Sequence, residues 1–425
     1  MMDQSLKDIL RKIVFRLVFL LMTTNVLLIA QQPELARLTV EEPAGLGRAG
    51  EYVEFALQVP LEQLEQATPA LAAVDVKSGD TIPVQVFDFK TTPDEKTALL
   101  RAIFPLRIVA GEKREFTIIS APGGPPPAKQ DAGKLSVSGE DTELIVENAF
   151  YRADLTRNPA IEPQSHPSGQ IRSLLIKMGF DQLLTNAEDR LHWAPNFKRP
   201  ELEYYTTIAH WENPGLNRVD RGPYLVRTVR QDYAPDHPEI LLTAVYKFYR
   251  GQPYFRFYSG MEFREDLWLA LLRNDEMTMD SMFTHLAFER PGGQIVDITF
   301  EERHELLEKQ PIENDAPWIC FYNADRGFAF GSIRINYDNR NIFGQESPTF
   351  RPHTQIGEWL AGIKYWNRRL VHDHLTFIPK GSRYQEENVY LVFRIGVEDR
   401  FRPIRDTAAR LRQPLRVTVR YHQNR

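Results

Sequence analysis

The sequence predicts an all-β protein, with a small N-terminal β-barrel or sandwich followed by a large antiparallel β-supersandwich. Apolar and polar residues alternate with a period of two along many short segments, as half-buried strands require. The 29 prolines and 24 glycines interrupt the chain often, and 11% of the residues are aromatic. This composition favours short strands and turns over long helices.

The chain begins with a basic stretch that leads into an apolar run at positions 17–30. This order is typical of a secretory signal peptide, so residues 1–30 are predicted to be cleaved and the protein to be periplasmic or secreted. A retained membrane anchor is the alternative, but the run is short for the roughly 20 residues that span a bilayer. After cleavage, no stable membrane insertion is expected.

Residues 31–121 are predicted to form the N-terminal β domain. It contains one predicted helix, at 61–73, and its predicted strands lie at 38–40, 52–59, 82–89, 99–104 and 115–119. Turn residues such as Ser78-Gly-Asp separate these strands.

Residues 122–134 are rich in proline and glycine and are predicted to be a linker. The sandwich is then predicted to occupy residues 135–425, with two helices, at 266–272 and 404–411. Its predicted strands are 142–148, 151–155, 171–178, 224–233, 241–249, 254–263, 283–288, 295–300, 318–323, 327–337, 370–378 and 388–397.

Charge and motifs exclude several classes of function. The net charge is −5 with scattered basic residues, so no nucleic-acid partner is expected. Cys320 is the sole cysteine, which rules out an intramolecular disulfide. There is no glycine-rich phosphate loop and no nucleophile elbow, so neither phosphoryl transfer nor serine-hydrolase chemistry is expected, and no cofactor is predicted.

Two parts of the sequence resemble known carbohydrate-active proteins. Residues 38–53 and 82–86 resemble the N-terminal barrel of exo-acting rhamnogalacturonan lyase-like proteins. Residues 146–155 and 169–177 resemble the start of a galactose-mutarotase-like supersandwich, as found in several polysaccharide lyases and glycosidases. That lyase-like family continues into a helical toroid, which nothing here predicts. The resemblance therefore implies architecture and a carbohydrate ligand, but no catalytic residue.

A lyase that acts on a uronate polymer needs a group that neutralises the carboxylate, a base and an acid. Segment 204–227 contains suitable residue types: His210 is a candidate catalytic residue, and Trp211, Arg221 and Arg227 are candidate substrate-binding residues. The alternative is that His210 and Trp211 close a long loop over the sandwich.

The predicted hairpin 241–263 provides a second candidate. Alternation places Tyr254, Arg256 and Tyr258 on its outward face, with Arg256 and Tyr258 as catalytic candidates beside His210 and Tyr254 as a substrate contact. Cross-strand pairs of this kind also stabilise ordinary sheets.

Segment 350–369 provides a third candidate, with Arg351, His353 and Trp366 as substrate-binding residues. Tryptophan rings stack on sugar rings and arginine binds carboxylates in a bidentate manner, so this loop suits an acidic saccharide. Burial of the same aromatic side chains is the alternative.

His372 and His374 alternate along one strand, which would place both imidazoles on one face. No third ligand is identifiable, so no metal site is predicted. His285 with Glu262 or Glu289 would give an epimerase-like pair.

The leading hypothesis is an exported protein that binds an acidic polysaccharide or oligosaccharide, with lyase chemistry by β-elimination as its catalytic form. Two alternatives stay open. One is a non-catalytic glycan-binding or scaffold protein, and the other is a mutarotase- or glycosidase-like enzyme.

Overall fold

The all-β class is confirmed by the computed structural model, in which antiparallel strands make up most of the described residues. Among the described residues, no helix has the length and apolar character needed to cross a bilayer. The predicted signal peptide and residues 122–133 of the predicted linker lie outside the described residues, so both stay predictions. The described residues are 34–61, 70–93, 96–121, 134–179, 181–303, 307, 311–359 and 362–421.

The described residues up to 121, together with 415–421, form one compact unit. Its strands form a seven-stranded antiparallel sheet in the order β2-β5-β4-β3-β6-β1-β27. The strands are β1 (Glu34–Glu41), β2 (Arg48–Pro60), β3 (Leu71–Asp75), β4 (Thr81–Thr91), β5 (Thr97–Ile108), β6 (Lys113–Ser120) and β27 (Arg416–Tyr421).

Alternation along these strands builds an apolar core in which the rings of Phe104 and Phe116 meet edge to face at 5.1 Å. The two outermost strands of the sheet approach each other, because the Tyr421 hydroxyl on β27 accepts a hydrogen bond of 3.1 Å from the Gln58 amide on β2. The sheet therefore curls toward a barrel.

Two sequence predictions for this unit need correction. The predicted helix 61–73 is wrong at its C-terminal end, where β3 begins at Leu71 and pairs with β4 and β6. The sequence predicts that the sandwich extends to residue 425, but β27 pairs with β1, so residues 416–421 belong to the first sheet. Strands that pair across so long a stretch of sequence leave no local pattern that would predict their pairing.

Residues 134–414 form the second compact unit. Its strands are β7 (Ser136–Glu140), β8 (Glu143–Glu147), β9 (Tyr151–Asp154), β10 (Ser173–Lys177), β11 (Asp181–Leu184), β12 (Asn196–Lys198), β13 (Thr206–Thr207), β14 (Leu216–Asp220), β15 (Leu225–Ala234), β16 (His237–Tyr249), β17 (Tyr254–Phe263), β18 (Leu267–Met279), β19 (His285–Glu289), β20 (Ile295–Thr299), β21 (Ile312–Glu313), β22 (Trp318–Asn323), β23 (Phe328–Asp338), β24 (His353–Glu358), β25 (Lys364–Ile378) and β26 (Arg383–Arg394).

These strands form a five-stranded, a six-stranded and a nine-stranded sheet around one large apolar core. The six-stranded sheet has the order β13-β12-β18-β25-β24-β21. The nine-stranded sheet has the order β14-β15-β16-β17-β26-β23-β22-β19-β20. The predicted strands overlap observed ones, and β17 and β22 match their predicted bounds.

The two helix predictions in this unit have opposite outcomes. The helix at 404–411 is confirmed as α1 (Arg402–Arg412), which buries Ile404, Ala408 and Leu411. The helix at 266–272 is wrong, because residues 267–272 belong to β18, which pairs with β25. A short apolar run has no periodicity that separates a buried helix from a buried strand.

Candidate functional site

The centre of the six-stranded sheet contains a β-bulge that turns two neighbouring carboxylates to opposite faces. The register between β18 and β25 shifts between Asn274 and Met277, and Asp275 adopts a φ of 45°. The Asp275 side chain lies in the core between the sheets, where its carboxylate accepts hydrogen bonds of 3.0 and 3.1 Å from the Ser332 hydroxyl. The Glu276 side chain lies on the other face of the six-stranded sheet. Bulges often re-aim side chains in this way at functional sites.

We call this other face, which carries Asn196, Arg273, Glu276, Gln355 and Arg369, the polar face. Residues of β18 on the opposite face, such as Leu269 and Leu272, belong to the apolar core. Residues from four strands meet on the polar face, because Asn196 and Arg369 both pair with Arg273 and β24 lies beside β25.

Glu276 is the most deeply placed carboxyl of the polar face, with 4% of its surface exposed. Its carboxylate accepts a hydrogen bond from the Asn196 side-chain amide and lies 3.9 Å from the Arg273 guanidinium. Burial raises the pKa of Glu276 above its ordinary 4.5, although Arg273 and Arg369 oppose this rise. A carboxyl so placed is suited to hold a proton and donate it.

Arg369 lies beside Glu276 on β25 and is itself buried. Its Nε donates a hydrogen bond of 3.2 Å to Asn367 Oδ1, and its guanidinium lies against the His372 ring. Burial, and then repulsion by Arg273, lowers the pKa of Arg369 to about 10, so it keeps its positive charge at neutral pH. Burial and the charge of Arg369 lower the pKa of His372, which favours the neutral imidazole there.

Tyr205 packs against the Arg273 side of the cluster that Glu276, Arg273 and Arg369 form. Its ring lies 5.4 Å from the Arg273 guanidinium carbon. Burial, and then the nearby charge of Glu276, raises the pKa of Tyr205, so its hydroxyl stays protonated at neutral pH. The phenol is therefore a second proton donor near the buried carboxyl.

A cavity of about 630 Å³ opens on the polar face along β24. His353, Gln355 and Tyr365 contribute to its lining. Gly357 makes room for the Tyr365 ring, because a Cβ at position 357 would lie 1.9 Å from Tyr365 Cζ. The glycine thereby fixes where the ring stands at the edge of the cavity.

A second cavity of about 560 Å³ has His285 and Lys364 in its lining. Arg303 and Glu358 line both cavities, so the two spaces meet at this ion pair.

Within the described residues, three buried atoms of the polar face form no hydrogen bond: Asn196 Oδ1, Arg273 Nε and Gln355 Oε1. A buried polar atom without a partner costs free energy, and such atoms commonly mark a place where a ligand or water binds. The polar face thus combines two cations, proton donors and unused hydrogen-bonding capacity.

The predicted residues Tyr254, Arg256, Tyr258 and Arg227 lie on the nine-stranded sheet instead. Arg256 forms an ion pair of 3.0 Å with Glu387 on the neighbouring strand, Arg227 forms one of 2.9 Å with Asp220, and Tyr254 is buried. Arg221 is exposed, and its guanidinium donates a hydrogen bond of 2.8 Å to the Gly139 carbonyl.

His210 ends the 3-10 turn Ile208–His210 that follows β13, so it lies at the edge of the six-stranded sheet, whereas Arg256 and Tyr258 lie in the nine-stranded sheet. Its ring centroid is 5.5 Å from that of His166 and 5.9 Å from that of Trp193. Burial, and then His166, lowers the pKa of His210 to about 4.

The two predicted tryptophan contacts need correction. Trp211 is 3% exposed and belongs to the apolar core, and its indole N–H donates a hydrogen bond of 2.7 Å to the Tyr233 carbonyl. Trp366 is 0% exposed and donates a hydrogen bond of 3.2 Å to Asp275. Rings enclosed in this way are not available to stack on a sugar.

Only part of the third predicted cluster, segment 350–369, lines a cavity. His353 lines the larger cavity, with its ring 5.7 Å from that of His372, whereas Arg351 is exposed and lies over the Phe350 ring. His372 and His374 do not act as a pair, because His374 stacks on Phe350 at 3.9 Å. The described residues contain no group of three potential ligands that would hold a metal ion.

The residues of the predicted epimerase-like pairs, His285, Glu262 and Glu289, contact other side chains instead of each other. Glu262 forms an ion pair of 3.0 Å with Arg383, and Glu289 accepts a hydrogen bond from the Trp318 indole. His285 stacks on Tyr322 with ring centroids 4.8 Å apart.

Sequence reasoning missed Arg273 and Glu276, whereas Arg369 lies at the end of the candidate segment 350–369 without having been chosen as a site residue. One indication was present: the otherwise apolar strand β18 is interrupted by the polar residues at 273–276. Polar residues at positions that the apolar pattern assigns to a core need a reason.

No protein-family model and no curated protein matches the sequence. Solved structures that share the fold include two from Enterococcus faecalis. A protein of glycosyl hydrolase family 38 from Enterococcus faecalis has a TM-score of 0.52 at 8% identity, and the match covers 91% of this chain and 47% of that one. An alpha-mannosidase from Enterococcus faecalis V583 has a TM-score of 0.50 at 10% identity, with 92% and 46% covered. This chain spans about half the length of either protein, and such low identities show the fold alone.

Proposed function

We propose that this chain binds an acidic carbohydrate on the polar face of the six-stranded sheet. The observation that carries the proposal is the buried Glu276 carboxyl with a raised pKa, flanked by Arg273 and Arg369. When Glu276 is protonated, no carboxylate of the cluster balances the positive charges of Arg273 and Arg369. A ligand carboxylate would balance this charge through charge-assisted hydrogen bonds.

The carbohydrate part of the proposal is supported by the fold, which is similar to that of a glycosyl hydrolase family 38 protein and an alpha-mannosidase. It also suits the hydrogen-bonding capacity that Asn196 and Gln355 offer to hydroxyl groups. Fold similarity by itself assigns no reaction.

Cleavage by β-elimination is the catalytic form that this site favours. Arg273 and Arg369 would neutralise the uronate carboxylate, and Glu276 or Tyr205 would protonate the leaving oxygen. His353, which pairs across the strands with Arg369, is the candidate base. A site that binds without cleaving is the alternative.

Calorimetric titration with galacturonate oligosaccharides, and with neutral galactose oligosaccharides of equal length, tests binding. We expect the acidic ligand to bind more tightly and Arg369→Ala to weaken its affinity by at least about tenfold, since a charge-assisted hydrogen bond contributes about 1.5–3 kcal/mol. Ultraviolet absorbance of an unsaturated uronate product separates cleavage from binding alone.

Arg256→Ala is the matched control, because it removes an ion-paired arginine from the nine-stranded sheet. If Arg256→Ala abolishes binding and Arg369→Ala does not, the site lies where the sequence predicted it, at Arg256 and Tyr258. The proposed site on the polar face would then be wrong.

Export to the periplasm or the outside is also part of the proposal and rests on residues 1–30. N-terminal sequencing of protein recovered from that compartment should find a terminus near Gln31. An intact Met1 in the membrane fraction would contradict it.

A further inference from the structure

The two cavities of the second unit meet at a cluster of three charged side chains. Arg303 and Glu358 line both cavities, and Lys364 lines the smaller one. Each cavity lies within the range of about 300–1,000 Å³ that is typical of small-molecule sites. The spaces therefore suit two neighbouring parts of one ligand, with the charged cluster between them.

The two cations of this cluster are buried, whereas the carboxylate is not. Arg303 is 3% exposed and Lys364 is 7% exposed, but the Glu358 side chain is 38% exposed. The Lys364 ammonium also lies 4.4 Å from the centre of the Phe300 ring. Burial lowers the pKa of Arg303, and Glu358 opposes this change. Buried cations favour a nearby anion, and among the described residues Glu358 lies beside both of them.

Glu358 holds both cations loosely. Its two carboxylate oxygens lie 3.5 Å from an Arg303 nitrogen and 3.5 Å from Lys364 Nζ. Charge-assisted hydrogen bonds are shorter, at about 2.7–2.9 Å. A partly exposed side chain with contacts of this length has little to lose when it rotates into solvent.

We propose that Arg303 and Lys364 form a second anionic subsite, and that Glu358 occupies the position of a ligand carboxylate until the ligand displaces it. The ligand is then an acidic saccharide of at least two sugar residues that spans both cavities. The inference rests on the proposed function for the class of ligand. The inference adds two points to the proposed function: a minimum length for the ligand, and Glu358 as an internal competitor of the ligand's second carboxylate.

The test compares wild type with Glu358→Gln and Lys364→Met by calorimetric titration with a galacturonate trimer. Glu358→Gln keeps the size of the side chain but removes the competing charge, so we expect the trimer to bind about two- to fivefold tighter. Lys364→Met removes a cation of the subsite and should weaken binding by at least about tenfold. A neutral galactose trimer should bind Glu358→Gln and wild type equally.

Glu358 is exposed enough that its substitution should leave the fold intact, so the increase in affinity is the deciding result. Equal affinity of wild type and Glu358→Gln for the acidic trimer overturns the inference. If Arg369→Ala abolishes binding while both new variants behave as wild type, the proposed function stands and the inference fails. If both variants shift the affinity and Arg369→Ala does not, the subsite stands and the site around Glu276 fails. If wild type and all variants leave the trimer unbound, both are wrong.

Discussion

The two faces of the six-stranded sheet differ in how completely they satisfy a buried carboxylate. Asp275 and Glu276 are neighbours in sequence and both are buried. Asp275 accepts hydrogen bonds from the Ser332 hydroxyl at 3.0 Å, the Tyr390 hydroxyl at 3.1 Å and the Trp366 indole at 3.2 Å.

Glu276 has a hydrogen bond from Asn196, an ion-pair distance of 3.9 Å to Arg273 and a raised pKa. Buried polar atoms without partners occur on both faces within the described part of the chain, for example Gln355 Oε1 on the polar face and Glu386 Oε2 in the core, so they do not separate the two carboxylates. The comparison teaches that burial alone does not mark a functional carboxylate. What separates Glu276 from Asp275 is its raised pKa together with the two neighbouring cations, and the proposed function uses this arrangement.

The largest difference is expected from Asp275→Asn against Glu276→Gln. Asp275→Asn leaves the buried Arg334 guanidinium, 3.4 Å away, without its carboxylate, which should lower the free energy of unfolding by about 3–5 kcal/mol. Glu276→Gln should change it by about 1 kcal/mol or less at neutral pH. Urea unfolding of the two variants measures both values. Equal losses would remove the distinction between the two faces.

A matched pair of tyrosines sharpens the same contrast. Tyr390→Phe removes a hydroxyl donor to the charged Asp275 and should cost about 1.5–3 kcal/mol. Tyr205→Phe should cost less than about 0.5 kcal/mol, yet reduce turnover of uronate oligosaccharides, because in the proposed reaction its hydroxyl protonates the leaving oxygen. Unfolding curves and product absorbance give the two readouts. A large loss of stability in Tyr205→Phe would make it a structural residue instead.

Gly357→Ala perturbs the polar face alone. Because the added Cβ would lie 1.9 Å from Tyr365 Cζ, the tyrosine ring has to move, at a cost of about 1–3 kcal/mol. We expect weaker uronate binding, measured by titration. The double variant Gly357→Ala, Tyr365→Ala should recover stability, and failure to recover it would place the strain elsewhere.

The smallest effect concerns pH. The folded-state pKa of Glu276 lies above 4.5, so the native state binds more protons than the unfolded state above that pH. The contribution of Glu276 is therefore full below about pH 4.5 and is lost as pH rises through the folded pKa. The loss amounts to about 1.4 kcal/mol for a tenfold difference between the folded and unfolded acid dissociation constants. The stability of wild type relative to Glu276→Gln should fall as pH rises. A difference that rises with pH would contradict the raised pKa.

The sequence predicts most strands because their period of two is local. Along β17, Phe255, Phe257, Met261 and Phe263 are buried, as alternation requires. The same alternation cannot separate a core face from a ligand face when both faces of a strand are enclosed. On β25 both Trp366 and Arg369 are buried, one in the core and one on the polar face.

The candidate site was harder to predict than the strands, because its residues come from β12, β18, β24 and β25. Their convergence depends on strand order and register, which no single segment encodes. The bulge at Asp275 adds a further shift, without which Glu276 would not stand beside Arg273. His353 was identified because a histidine among aromatic and basic residues is visible from the sequence alone.

The pairing of β27 with β1 has a consequence for the order in which the molecule is made. During synthesis, the first sheet emerges long before residues 416–421, and until they arrive β1 presents unpaired amide and carbonyl groups along one edge. Open edges of this kind pair with other chains. The first unit is therefore completed only after the second unit has been translated, because its last strand, β27, follows the second unit in the sequence.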